Sequence, residues 1–276
     1  MKTINIIESF NKDEEFMYVK PYLFIKGYAT GLGLTATLKA LPLARQLHNG
    51  QYRRDKQIIN GKEYQTPYVL HILKVCSTLI SVVGEKLSDT PEHRAELDIL
   101  LASALLHDVL EDCAEEFPLG GQELISVYGL PKEVFIAVSL VTKEAGLTED
   151  QLLDYFNKLK KNKYSILVKL ADRSHNVEDL YNMKLDKLHK YIKETRDFVY
   201  PLASYGKQHY PEFSNAFTIL DSKIVSLTEE AETIVSLFEK ELAERDKKIN
   251  RMWKIIKKMR SIISNLRKAL KVGKTI

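Results

Sequence analysis

The sixteen residues 97–112, LDILLASALLHDVLED, constrain the fold more than any other stretch: an apolar run ends in His107, Asp108, Glu111 and Asp112. A run apolar almost all round predicts a helix buried in the middle of a bundle. At about 100° per residue the four polar side chains fall near 0°, 100°, 40° and 140°, so they share one helical face. Buried charge is costly unless it is paired or bound to metal. Four ionisable groups on one buried face therefore call for a compensating cation and point to a metal or catalytic site. The competing explanation is an exposed polar stripe. The flanking LLASALL and VL argue against it.

Most of the remaining chain also reads as helix. Residues 134–141 follow Pro131, a residue suited to a first helical turn. Residues 164–170 (YSILVKL) carry β-branched side chains, but they run straight into ADRSHNVEDLYNM, which favours one long helix. Residues 185–200 and 210–220 are further helices, punctuated by Pro201 and Pro211. One segment differs. Residues 56–65 read KQIINGKEYQ, two short runs around Asn60-Gly61, the pattern of a type I′ β-hairpin between Arg54 and Pro67. The expected fold class is all-α, a helical bundle with a small β-hairpin insertion.

With 276 residues, 45% hydrophobic and 28% charged, the chain can bury a sizeable core and is neither disordered nor collagen-like. Two cysteines, Cys76 and Cys113, are too few for a disulfide scaffold. The acidic start lacks the apolar run of a signal peptide, and residues 27–38 are too short an apolar stretch to span a bilayer. A cytoplasmic protein is expected. Charge is unevenly spread: residues 245–274 hold twelve Lys/Arg against Asp246, a net +11, which leaves −7 for the rest.

The C-terminal segment changes character. Leu227, Ala231, Ile234, Phe238 and Leu242 fall on one stripe, and Ile249, Met252, Ile256, Met259, Ile263, Leu266 and Leu270 follow the 3-4 spacing of a coiled-coil seam. Residues 244–248 between them are wholly charged, so the stripe weakens or shifts there. The division is therefore a domain over 1–225 and a basic, coiled-coil-like helical extension over 226–276. The seam is expected to be covered by the acidic body or by a second copy: the −7 of the body favours docking of the +11 segment on acidic surface, in a monomer or an antiparallel homo-oligomer. Contact of the basic face with nucleic acid or an anionic surface is the competing reading.

Three further pieces carry candidate chemistry. Asp172 and Asn176, in LADRSHN, are four apart and so share a helical face. His71 closes TPYVLH among apolar neighbours, where a core histidine is the plainer reading. Arg53 and Arg54, in HNGQYRR, are adjacent guanidinium groups that suit solvent, a phosphate or a purine face.

Taken in order, HNGQYRR, TPYVLH, ALLHDVLED, VYGLPKEV, LVTK, ILVKLADRSHN, Glu194-Thr195 and YPLA resemble the hydrolase domain of the RelA/SpoT alarmone enzymes, within the HD superfamily of metal-dependent phosphohydrolases. The likeness covers residues 40–205. It implies an HD-domain helical bundle that hydrolyses guanosine 3′,5′-bis(diphosphate) to GDP or GTP and pyrophosphate. It places metal ligands at His71, His107, Asp108 and Asp172, and a water-activating acid pair at Glu111 and Asp112. Arg53, Arg54 and Asn176 would contact the nucleotide. Manganese is the metal the resemblance implies. Two imidazoles with two carboxylates suit other first-row divalent ions as well. No synthetase domain is expected after residue 225. Two other readings stay open: an HD phosphohydrolase of another nucleotide, and a non-catalytic nucleotide-sensing or partner-binding module.

Overall fold

The computed structural model describes residues 12–59 and 61–272. The chain begins with α1 (Lys12–Leu32) and α2 (Thr35–Leu47), followed by β1 (Tyr52–Ile59) and β2 (Lys62–Pro67). Then come α3 (Tyr68–Val83), α4 (Pro91–Leu105), α5 (Val109–Asp112), α6 (Glu123–Ser126), α7 (Lys132–Val141) and α8 (Glu149–Leu159). The last elements are α9 (Lys163–Asn176), α10 (Leu185–Glu194), α11 (Tyr200–His209) and α12 (Ser214–Val272). Among the described residues the fold is all-α apart from one hairpin, as the residue pattern implied.

Local chemistry explains where the helices start. Thr90 accepts the N–H of His93 with Pro91 in the first turn of α4, and Thr148 and Gln151 form a capping box on α8. Asn162 accepts the N–H groups of Tyr164 and Ser165 at the head of α9. Each cap satisfies amides that the helix leaves unpaired, worth about 1 kcal/mol. The start of α2 is capped from a distance: Asp98 on α4 accepts the N–H groups of Ala36 and Thr37 at 2.8 and 2.7 Å. That carboxylate also fixes the spacing of the two helices.

The core runs through α3, α4, α7 and α9. Ile72, Leu73, Leu100, Leu101, Ile166 and Leu170 are fully buried there. Where α11 meets α12, Gly206 leaves no room for a side chain, since a Cβ there would sit 2.9 Å from the ring of Phe217. The π turn Thr195–Val199 joins α10 to α11 where a single helix over 185–200 was expected.

The hairpin is longer than its sequence signal. Antiparallel pairing runs from Ile59↔Lys62 to Tyr52↔Pro67, with an irregularity between Tyr52 and Lys56. Arg53 and Arg54 therefore lie within β1 rather than ahead of the ribbon. Gly61 takes φ +75, the left-handed conformation a tight turn needs, and Asn60 lies outside the described residues.

The chain divides into two compact units, a body ending at Thr228 and a second unit from Glu229 onward. The second unit is the continuation of α12. The buried stripe of this helix runs through Ile224, Thr228, Ala231 and Val235. Leu227 and Ile234, expected on it, are only half-buried. No helix among the described residues is long and apolar enough to cross a membrane.

Candidate active site

Residues 97–112 do not form one helix. α4 ends at Leu105, Leu106 closes it with φ −115 and ψ 9, and α5 starts only at Val109. His107 and Asp108 thus sit on a turn, and the single shared helical face is replaced by a corner. The ring of His107 helps hold that corner, its Nδ1 lying 2.8 Å from the carbonyl of Ala104. A carbonyl only accepts, so Nδ1 donates. Burial works against charge on this ring, but Asp108 and Asp172 outweigh it and raise its pKa well above the usual value. In its neutral form, the form that binds a metal, the ring offers a lone pair on Nε2.

That Nε2 faces a cluster drawn from three places in the chain. It lies 3.0 Å from Asp108 Oδ2 and 3.8 Å from Asp172 Oδ1. His71 Nε2, from α3, lies 3.2 Å from Asp172 Oδ1 and 3.6 Å from Asp108 Oδ2. His107 Nε2 is buried, and no hydrogen bond of acceptable geometry reaches it. An orphaned imidazole nitrogen among carboxylates fits a cation. Ligand atoms of His71, His107 and Asp108 all fall within 4.8 Å of one another, a group able to hold a metal ion. Asp172 stands at its edge.

The electrostatics agree. Burial works against the charge on Asp108, but His107 and His71 outweigh it and hold the carboxyl well below its usual range. Burial likewise opposes the charge on Asp172, and Lys169 with the two histidines overcomes it. Both carboxylates are thus in the ionised form a metal requires. Tyr68 donates to Asp108 Oδ2 at 2.6 Å, and Lys169 Nζ lies 3.2 Å from Asp172 Oδ2.

Glu111 and Asp112 open to solvent beside the cluster. The protein around their carboxylates strips much of the water, and this desolvation pushes Glu111 up to about 7 and Asp112 above its usual range. Glu111 Oε1 accepts the N–H of Lys143. Lys143 Nζ in turn lies 3.1 Å from both oxygens of Glu194, which also accepts from Arg173. Lys143 of the LVTK segment therefore links Glu194 to Glu111.

A cavity of about 330 Å³ lies beside the cluster, lined by Tyr52, Arg53, Arg54, Tyr68, Asn176 and Asp179 among others. Arg53 Nη2 pairs with Asp179 at 2.8 Å and donates to Asn176 Oδ1 at 3.2 Å. Asn176 Nδ2 donates onward to Asp172 Oδ1 at 2.5 Å. All nine residues singled out from the sequence are thus gathered around one corner of the body. Asp179, Tyr68, Lys169, Glu194 and His175 were not among them. Tyr68 stood one helical turn before His71, and His175 stood inside LADRSHN, so both were within reach of a closer reading.

Comparison with known proteins bears on the same region. No protein-family model matches the chain. A guanosine-3′,5′-bis(diphosphate) 3′-pyrophosphohydrolase of Haemophilus influenzae is 29% identical over 167 residues, 58% of this chain and 21% of that protein. The bifunctional (p)ppGpp synthase/hydrolase SpoT of Escherichia coli K12 is 30% identical over 173 residues, 60% of this chain and 21% of its own length. Over these residues the chain is similar to proteins named as guanosine-3′,5′-bis(diphosphate) 3′-pyrophosphohydrolase and SpoT. A GTP pyrophosphokinase of Myxococcus xanthus is similar too, 31% identical over 178 residues, 60% of this chain and 20% of that protein. The chain thus spans about a fifth of the length of these curated relatives. A solved structure of a metazoan ortholog of SpoT that hydrolyses ppGpp aligns at a TM-score of 0.47 and 22% identity, covering 71% of this chain and 95% of that one.

Proposed function

We propose that this domain hydrolyses the 3′-diphosphate of guanosine 3′,5′-bis(diphosphate) or its pentaphosphate analogue, giving GDP or GTP and pyrophosphate. The observation that carries the reading is the meeting of His71, His107, Asp108 and Asp172 at distances of 3.0–3.8 Å, with an acid pair and an arginine-lined cavity beside them. In that reading the two imidazoles and two carboxylates hold one divalent ion, manganese being preferred. When bound, the ion supplies Lewis acidity and a water of lowered pKa.

The chain's own residues do the rest. Glu111 and Asp112 orient the attacking water and take its proton, and a carboxylate held near 7 is well matched to that task. Arg53, with its guanidinium fixed by Asp55, Asp179 and Asn176, presents a rigid flat face to the purine. Arg54, exposed beside it, meets phosphate oxygens. Asn176 joins base pocket to metal cluster by touching both Arg53 and Asp172.

The test is product analysis on a nucleotide panel with metal-loaded protein. Pyrophosphate and GDP from guanosine 3′,5′-bis(diphosphate), with other nucleoside polyphosphates left intact, is the expected result. Release of orthophosphate, or turnover of 5′-triphosphates alone, contradicts it.

A further inference from the structure

Helix α12 keeps a single heptad phase across the boundary at residue 228. In alternating steps of three and four from Ile224 to Leu270, every position except Thr228 and Arg245 is apolar. The charged stretch 244–248 weakens the stripe, placing Arg245 on it, without shifting its register. Within the second unit, Phe238, Leu242, Ile249, Met252, Met259 and Ile263 are between 46% and 61% exposed. The side chains of Leu266 and Leu270 lie outside the described residues. An unbroken seven-residue repeat on a continuous helix is a seam built for another helix.

Charge says which helix. Residues 229–244 carry six glutamates against Lys240, and residues 245–272 carry eleven Lys/Arg against Asp246. A parallel pair of such helices would set basic stretch against basic stretch. An antiparallel pair sets the acidic half of each against the basic half of the other. An anionic membrane or a nucleic acid would match the basic half alone. It would be repelled by the acidic half, where the seam continues through Phe238 and Leu242.

We propose that a second copy of this chain covers the seam, its α12 running antiparallel about a two-fold axis near Lys247. In that register Phe238 faces Ile256 of the second copy, Leu242 faces Met252, and Arg245 falls beside Ile249. The glutamates at 239, 241 and 244 lie along the basic residues 251–260 of the second copy. The stem of Arg245 packs on the seam while its guanidinium reaches water.

Sedimentation of the full chain at tens of micromolar, in about 0.15 M salt, should give twice the mass of one chain. The variant Leu242→Glu/Met252→Glu should weaken association at least tenfold with unchanged helix content, because both side chains are exposed. Orientation is read by crosslinking, for which the native Cys76 and Cys113 are buried. A mixture of Leu242→Cys and Met252→Cys chains should form a disulfide-linked pair under mild oxidation, and neither variant alone should. A monomer at this concentration overturns the proposal. So do crosslinked pairs from each variant alone, or a chain that stays monomeric and sediments with anionic vesicles or nucleic acid.

Discussion

The Nδ1 atoms of His71 and His175 lie 2.7 Å apart in the interior of the body. One must donate and the other accept. For His71 Nε2 to offer its lone pair to an ion, His71 Nδ1 must hold the proton and His175 Nδ1 must receive it. His175 suits that role: burial, the neighbouring His71 and nearby cations push it down to about 2, so it stays neutral. The contact sets both the tautomer and the angle of the His71 ring, as outer partners of metal-binding histidines do.

Replacing His175 with Leu should therefore lower divalent-metal affinity by about 10–100-fold. His175→Asn, which keeps an acceptor near Nδ1, should recover most of the loss. Calorimetric titration of metal-free protein reads this directly. Equal affinity in the wild type and His175→Leu would show that the pair is only packing.

Asp112→Asn separates binding from chemistry. The side chain stands beside the cluster rather than within it. The variant should keep its metal and nucleotide while turnover falls by about 10²-fold or more, as for a general base. Metal content and single-turnover rates check this. Loss of metal would move Asp112 among the ligands.

Arg53→Lys tests the base pocket. A lysine cannot present a flat face or hold Asp179 and Asn176 together. KM should rise more than kcat falls, since a stacking contact acts alike on ground and transition states. Steady-state kinetics with unchanged KM would reject the contact.

Glu194 gives a pH dependence of stability. Burial raises its pKa, but Arg173 and Lys143 outweigh that and leave it below the ordinary 4.5. A carboxyl depressed on folding contributes stability above its unfolded pKa and loses it as pH falls through the folded value. Glu194→Gln should thus cost about 1.5–3 kcal/mol at neutral pH, the range for a hydrogen bond to a charged group. The deficit should shrink in acid. Urea unfolding of the metal-free variant and wild type at both pH values measures it, and a deficit that grows in acid would reverse the sign.

The motifs made the cluster residues legible because ligand chemistry demands specific side chains at specific positions. They did not make the corner at Leu106 legible. An apolar run predicts burial, but nothing in LLHDVLED announces that the His107 ring takes the Ala104 carbonyl and helps end the helix. The residues that position the cluster were harder still. His71 and His175 are 104 positions apart, and Glu194 reaches Glu111 only through Lys143. Pairings of that kind arise from packing, which a pattern along the chain does not contain. The hairpin illustrates the same limit: its turn was visible, but the strand's extension back through Arg53 depends on pairing with Pro67 and its neighbours.

The most direct test measures metal content and pyrophosphate release side by side in the wild type, His107→Ala and Asp172→Ala. The account predicts one ion per wild-type chain and stoichiometric GDP and pyrophosphate from guanosine 3′,5′-bis(diphosphate), with metal and turnover lost together in both variants. Full metal occupancy in either variant, or pyrophosphate release surviving without metal, would contradict it.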